Sequence, residues 1–190
     1  MALADVRSDV ITIINEVQRK LGVSQQTSLT GTKLTTMLLD FLNDVIDEVS
    51  DLGRWQQMFR EVKVTAQASV GEYKIKVSAD VQNVAEIVWG DDVASLEVRT
   101  IEDIRRLQRL SSFGTPRQFM LTGMSGTAPK FRIYPIPTQA TIDAESSAGG
   151  VFDIWYYKKP RMFTAVTADA SAVPAFPARM LIQGTYAKAL

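Results

Sequence analysis

LTTMLLDFLNDVIDEVSDLGRWQQMFREVKVTA, residues 34–66, changes its hydrophobic period part-way along. In the first half, Leu34, Leu38, Phe41, Val45, Val49 and Leu52 recur every three or four residues, with Met37, Leu42 and Ile46 widening the stripe. That is the spacing of one buried helical face and predicts a helix from about Lys33 to Leu52, closed by Gly53. From Phe59 the period falls to two. Val62, Val64 and Ala66 alternate with charged or polar residues, the pattern of a strand with one face in a core. Helix and strand are therefore segregated along the chain, which points to an α+β protein.

Toward the N-terminus the helical regime continues. Leu3, Val6, Val10, Ile13, Ile14, Val17 and Leu21 form a second apolar face, followed by Gly22, which suits a left-handed cap, and by Val23, which can fold back on the last turn. The polar loop SQQTSLTGT then supplies Thr30 or Thr32 as the cap of the next helix. Its outer face carries Asp40, Asp44, Asp47, Glu48 and Asp51. An acidic face of this kind reads as solvated rather than as a docking surface.

Toward the C-terminus strands dominate. Tyr73, Ile75 and Val77, after Val70-Gly71, complete an expected hairpin with Val62–Ala66; Val84–Trp89 forms a third strand, and Leu96 and Val98 a short fourth. Thr100 caps a helix, TIEDIRRLQRL, with Glu102 and Asp103 at its positive end. Ile101, Ile104, Leu107 and Leu110 face its core side, leaving Arg105, Arg106 and Arg109 outward. Strands resume at Gln118–Leu121, Lys130–Tyr134 and Val151–Tyr157, the last two separated by a loop rich in small residues, IPTQATIDAESSAGG. After Lys158-Lys159-Pro160 the chain reads as loop, and ARMLIQGTYAKAL as a final helix. The terminal helices can pack together only if the β region is an insertion. The expected architecture is a helical bundle formed by the N- and C-terminal helices, with an inserted antiparallel β-rich domain containing one helix. The boundaries are 1–58 for the N-terminal helical part, 59–163 for the insert and 164–190 for the helix that completes the bundle.

Composition narrows the chemistry. Among 190 residues there is no histidine and no cysteine. Histidine–nucleophile systems, thiolate metal sites and disulfides are thereby excluded. Lys+Arg and Asp+Glu are both 21, so no net field draws the chain to nucleic acid or a membrane surface. No apolar run approaches the roughly 20 residues needed to cross a bilayer. The opening MALADVRSDVITII lacks a basic region ahead of an apolar core, so no signal peptide is read there. These features point to a soluble protein made in a cytoplasm.

The candidate motifs reduce to structure. Gly90-Asp91-Asp92 has the form of a magnesium-binding GDD between strands, but the chain supplies no palm and no further carboxylates for a polymerase, and Gly-Asp is an ordinary turn dipeptide. Arg99, Arg105, Arg106, Arg109 and Arg117 form one basic cluster and Lys158, Lys159 and Arg161 another. Glu97, Glu102 and Asp103 dilute the first, which favours a solvated or protein-facing role over nucleic-acid recognition. Gly123, Gly126, Gly149 and Gly150 lack the context of a phosphate-binding loop. Trp55, Trp89, Trp155, Tyr156 and Tyr157 read as aromatic residues closing the core of the β block. No catalytic, metal or cofactor-binding residue is assigned, and no cofactor is expected.

One ordered set of residues is more specific. Gly114-Thr115-Pro116-Arg117-Gln118-Phe119 is followed by Phe131-Arg132-Ile133-Tyr134-Pro135-Ile136-Pro137, by Phe152-Asp153-Ile154-Trp155-Tyr156-Tyr157-Lys158-Lys159-Pro160, and by Val173-Pro174-Ala175-Phe176-Pro177 before the last helix. In that order these resemble the head-to-tail adaptors of short-tailed bacteriophages, the tail tubular protein A and head-completion type. The prolines have a physical reading: Pro135, Pro137 and Pro160 stop strands before their edges pair uncontrollably, and Pro177 suits a first helical turn.

The resemblance implies a non-enzymatic virion protein at the head–tail junction, assembled in the host cytoplasm. About a dozen copies would ring the lower end of the portal protein, with the tail nozzle or tail tube protein beneath and genomic DNA passing through without sequence-specific binding. On that reading Met180, Leu181, Tyr186 and Leu190 are the expected partner-docking residues, and Arg105, Arg106 and Arg109 contact DNA or a neighbouring copy. Such adaptors carry a longer C-terminal helical region, and the apolar stripe here reaches Leu190 without a stop signal, so the helix is expected to extend in the gene product or on assembly. A tail tube or tail completion subunit and a small nucleic-acid-binding protein are the alternative readings.

Overall fold

The chain first forms two helices, α1 (Val10–Lys20) and α2 (Lys33–Asp51), each begun by a side-chain cap. Asp9 accepts the Thr12 N–H at 2.9 Å and Thr32 accepts the Thr35 N–H at 3.1 Å, each satisfying a backbone donor left over at a helix start. The Asp9 cap corrects the expected start near Leu3, because Ser8 and Asp9 lie outside the helix. Gly22 takes the left-handed conformation expected of it, with φ +74°, and Val23 N–H returns to Gln18 O at 2.9 Å. The computed structural model describes residues 8–30, 32–75, 81–90, 95–108, 112–125, 128–144 and 150–190. Leu3, Val6, Val77, Asp91, Asp92, Arg109, Leu110, Gly126 and Gly149 lie outside them, as does the Ile101 side chain.

A single turn of 3-10 helix (Gln56–Met58) leads, among the described residues, into seven strands and two helices: β1 (Phe59–Thr65), β2 (Glu72–Lys74), β3 (Val81–Trp89), β4 (Glu97–Val98), α3 (Ile101–Gln108), β5 (Gln118–Ser125), β6 (Ala128–Tyr134), α4 (Gln139–Ala144) and β7 (Val151–Lys158). The short α5 (Thr167–Ala170) and α6 (Ala178–Ala189) follow. Two compact units result: the residues up to Met58 with Pro160–Leu190, and Phe59–Lys159.

In the β unit the strands form two sheets, ordered β1-β7-β3 and β2-β6-β5-β4. The expected hairpin between Val62–Ala66 and Tyr73–Val77 does not form. β1 pairs instead with β7, Phe59 opposite Tyr157 through Thr65 opposite Val151, while β2 pairs with β6. The intervening turn, where Ser69 takes φ +63°, carries the chain from one sheet to the other. The block is also not wholly antiparallel, since β4 runs parallel to β5. The two sheets share one core: Ile87, Trp89, Phe152 and Ile154 from the first meet Tyr73, Phe119, Phe131 and Ile133 from the second. Phe152 lies at its centre, with ring centroids 4.8 Å from Trp89, 5.0 Å from Tyr73 and 5.5 Å from Phe131. Burying each such ring contributes on the order of 2–3 kcal/mol.

The small-residue stretch before β7 is not simply a loop. Its Thr138 hydroxyl accepts the Thr141 N–H at 3.1 Å, starting α4, and Ile142 closes the sheet core. Trp55, expected in the β core, belongs to the helical unit. Its indole donates to Val49 O at 2.8 Å and its ring meets Phe176 edge-on at 5.3 Å. Trp89 and Tyr156 are buried as expected, whereas Trp155 stacks on Phe59 at 5.3 Å, Tyr157 lies tilted against it at 5.2 Å, and both are half-buried.

In the helical unit α6 lies against both α1 and α2. Its approach to α2 is set by Gly184: a Cβ there would stand 2.7 Å from Val45 Cγ1 and 3.1 Å from Cγ2. Val45 is buried and β-branched, so it has one favoured helical rotamer and little room to yield. Gly184→Ala should therefore destabilise the protein by about 1–3 kcal/mol, outweighing alanine's helix propensity. Urea denaturation measures this, and adding Val45→Ala to the Gly184→Ala chain should recover part of the loss.

Candidate docking site

α6 is placed by the chain that leads into it. Asn43, on α2, donates Nδ2 to Phe163 O at 2.8 Å and accepts Phe163 N–H at Oδ1 at 2.9 Å, joining residues 120 apart in sequence. Pro160–Phe163 thus belongs with the helices. Asp169, 4% exposed, is the second anchor. Its carboxylate accepts Thr164 N–H at 2.7 Å and the Thr164 hydroxyl at 2.9 Å, and it pairs with Arg161. These bonds, the Thr164 N–H foremost, hold the Asp169 carboxyl below its usual range. Ala172 O then takes the Val10 N–H at 2.9 Å, tying the segment to the start of α1. Pro177 stands at the entry to α6, where a missing N–H costs nothing.

α6 buries one large apolar side chain among small residues. Ala178, Leu181 and Thr185 face the unit's interior, beside Gly184. Among the four residues expected to dock a partner, Leu181 is thus fully inside. Tyr186 is half-buried, with the Lys20 ammonium 5.4 Å from its ring centroid. Met180, 37% exposed, and Leu190, 84% exposed, point to solvent. Lys188 reaches Glu48 at 2.8 Å, and that carboxylate, then Asp44, raises its pKa. The sequence stripe Met180-Leu181-Ala187-Leu190 is therefore split: one member lies in the core and three are on the surface.

The basic residues are dispersed. Arg105 and Arg106 are exposed on α3, whose first turn is fixed by Thr100 and Asp103: Thr100 Oγ1 donates to the carboxylate at 2.8 Å and accepts the Asp103 N–H at 3.3 Å. Arg99 pairs with Glu97 at 2.8 Å and Arg161 with Asp169, so neither cluster presents all its charge outward. Among the described residues no group of three or more acidic side chains could hold a metal ion, and no helix is long and apolar enough to cross a membrane. Asn43, Asp169 and Gly184, which fix the position of α6, carry no sequence signal beyond a polar or small residue next to an apolar stripe.

A protein-family model described as SU10 adaptor protein matches residues 8–190, a span that takes in both units. Comparison with curated proteins gives no match.

The Asp169 anchor has a pH signature. A carboxyl whose folded pKa is depressed stabilises the fold above its unfolded value of about 3.9, and that contribution is lost as pH falls through the lowered folded value. Asp169→Asn should lower stability at neutral pH, and the gap from the parent should narrow below about pH 4. Denaturant titrations at a series of pH values check this; a gap that stays constant into acid contradicts it.

Proposed function

The chain belongs to the SU10 adaptor protein family, a family of phage structural adaptors, and from that premise we propose that it forms the ring joining portal to tail. The observation that carries the reading is the extent of the family match, residues 8–190, which spans the helical unit and the β unit alike. About a dozen copies sit side by side beneath the portal protein, the tail nozzle or tube docks below, and genomic DNA passes through the centre. The work is done by surfaces and not by catalysis, in keeping with a chain that has neither histidine nor cysteine. The ring occupies the head–tail junction of the virion and is assembled in the host cytoplasm.

Within this proposal α6 meets the portal. Met180 and Leu190 are apolar and exposed, Leu190 the more fully. Leu181 supports the site from within, and Tyr186 flanks it. Arg105 and Arg106, on the β unit, face a neighbouring copy or the DNA.

Co-sedimentation with the portal protein of the same phage tests the assignment. The parent protein should pellet with portal at a fixed stoichiometry. The double variant Met180→Glu/Leu190→Glu should keep its folding stability within about 0.5 kcal/mol, as surface changes do, and lose at least about tenfold in portal affinity. Undiminished binding by that variant removes α6 from the interface; absence of binding by the parent removes the portal.

A further inference from the structure

Edge strands invite pairing, and folded proteins blunt them with bulges, short lengths or guarding charges. Three of the four edges in the β unit are blunted. β3 has two register shifts against β7, β2 has three residues and β4 has two. β1 is the exception: seven residues pair with β7 without a shift, and its other side has no partner strand among the described residues.

The ladder shows which groups β1 leaves open. Ala66 N–H donates to Gly150 O at 2.9 Å, so by antiparallel alternation Val62 and Val64 turn their backbone groups to β7 while Glu61, Lys63 and Thr65 turn theirs away. The side chain that would guard this edge is already engaged, with Lys63 Nζ 3.1 Å from Asp153 and 3.6 Å from Glu61.

Alongside lies a cleft of about 340 Å³, bounded on its far side by β2. Val64, Val70 and Tyr73 give it an apolar floor, and Lys74 stands on the rim without an ion pair among the described residues. Glu72, beside it, holds two cations, Lys130 at 3.1 Å and Arg132 at 2.7 Å. The β2 rim is therefore net positive. We propose that an extended segment of a partner protein, whose cleft-facing side chains are apolar apart from one acid, adds to β1 as a fourth strand of its sheet. Main-chain bonds to Lys63 and Thr65 give the affinity, the floor takes the apolar side chains of that face, and Lys74 selects the acid. This site is on the β unit and is independent of α6 and the portal.

The probe is a fluorescein-labelled peptide, VTVTETV, titrated with the full chain and read by anisotropy, with VTVTKTV as its charge-reversed counterpart. Saturable binding of the first is expected, with the second at least about tenfold weaker. Lys74→Glu, a surface change, should reverse that order. Thr65→Pro removes an N–H that β7 does not use and should weaken the first peptide by about tenfold or more. The proposal is overturned if VTVTETV fails to saturate by about 1 mM, or if Lys74→Glu leaves the preference between the peptides unchanged.

Discussion

The pairing of β1 with β7 is the constraint on which the rest depends. The first and last strands of the β unit are neighbours, and Phe59 lies opposite Tyr157. The chain therefore enters and leaves that unit at adjacent points, and the whole of Phe59–Lys159 closes on itself as a loop in the helical sequence. Once that loop is closed, the further entropy cost of bringing Pro160–Leu190 to α1 and α2 is that of a short connection rather than of a long flexible one. Within the β unit β7 is also the central strand of its sheet, and its Phe152 and Ile154 form the middle of the core shared by both sheets. The same strand thus organises the core and closes the loop.

The helical unit adds fixed polar contacts to its apolar core. Asn43 and Asp169 hold the returning segment by four hydrogen bonds and an ion pair, and Gly184 lets α6 approach Val45 closely. α6 turns Ala178, Leu181 and Thr185 inward and leaves Met180 and Leu190 on its exposed side. In an adaptor that arrangement is useful, since a helix that spends little of its apolar surface on its own fold has surface left for a partner.

The helices were legible because their faces are long and periodic; Val10, Ile13, Ile14 and Val17 are all buried as their spacing requires. Pairing was not. Adjacent strand patterns suggest a hairpin, but the partner of Val62 is Ile154, and nothing local in Val62–Ala66 points across that distance. α4 escaped because Ile142 is the one large apolar residue of Gln139–Ala144. Leu52 reads as the end of the α2 stripe yet is 79% exposed, because the helix stops at Asp51 before that turn is completed. The exposed face of α6 was half legible: periodicity found the helix, but it could not show that Gly184 and Thr185 would take the inward positions expected of larger residues.

The account reads the chain as an adaptor that joins two virion parts through separate surfaces on a helical and a β unit. A cryo-electron microscopy reconstruction of the protein mixed with the portal of its phage tests this most directly. The account predicts a closed ring of about a dozen copies on the lower face of the portal, with α6 at the contact. A portal that stays bare while the protein polymerises into tubes, or that binds it through the β unit, contradicts the account.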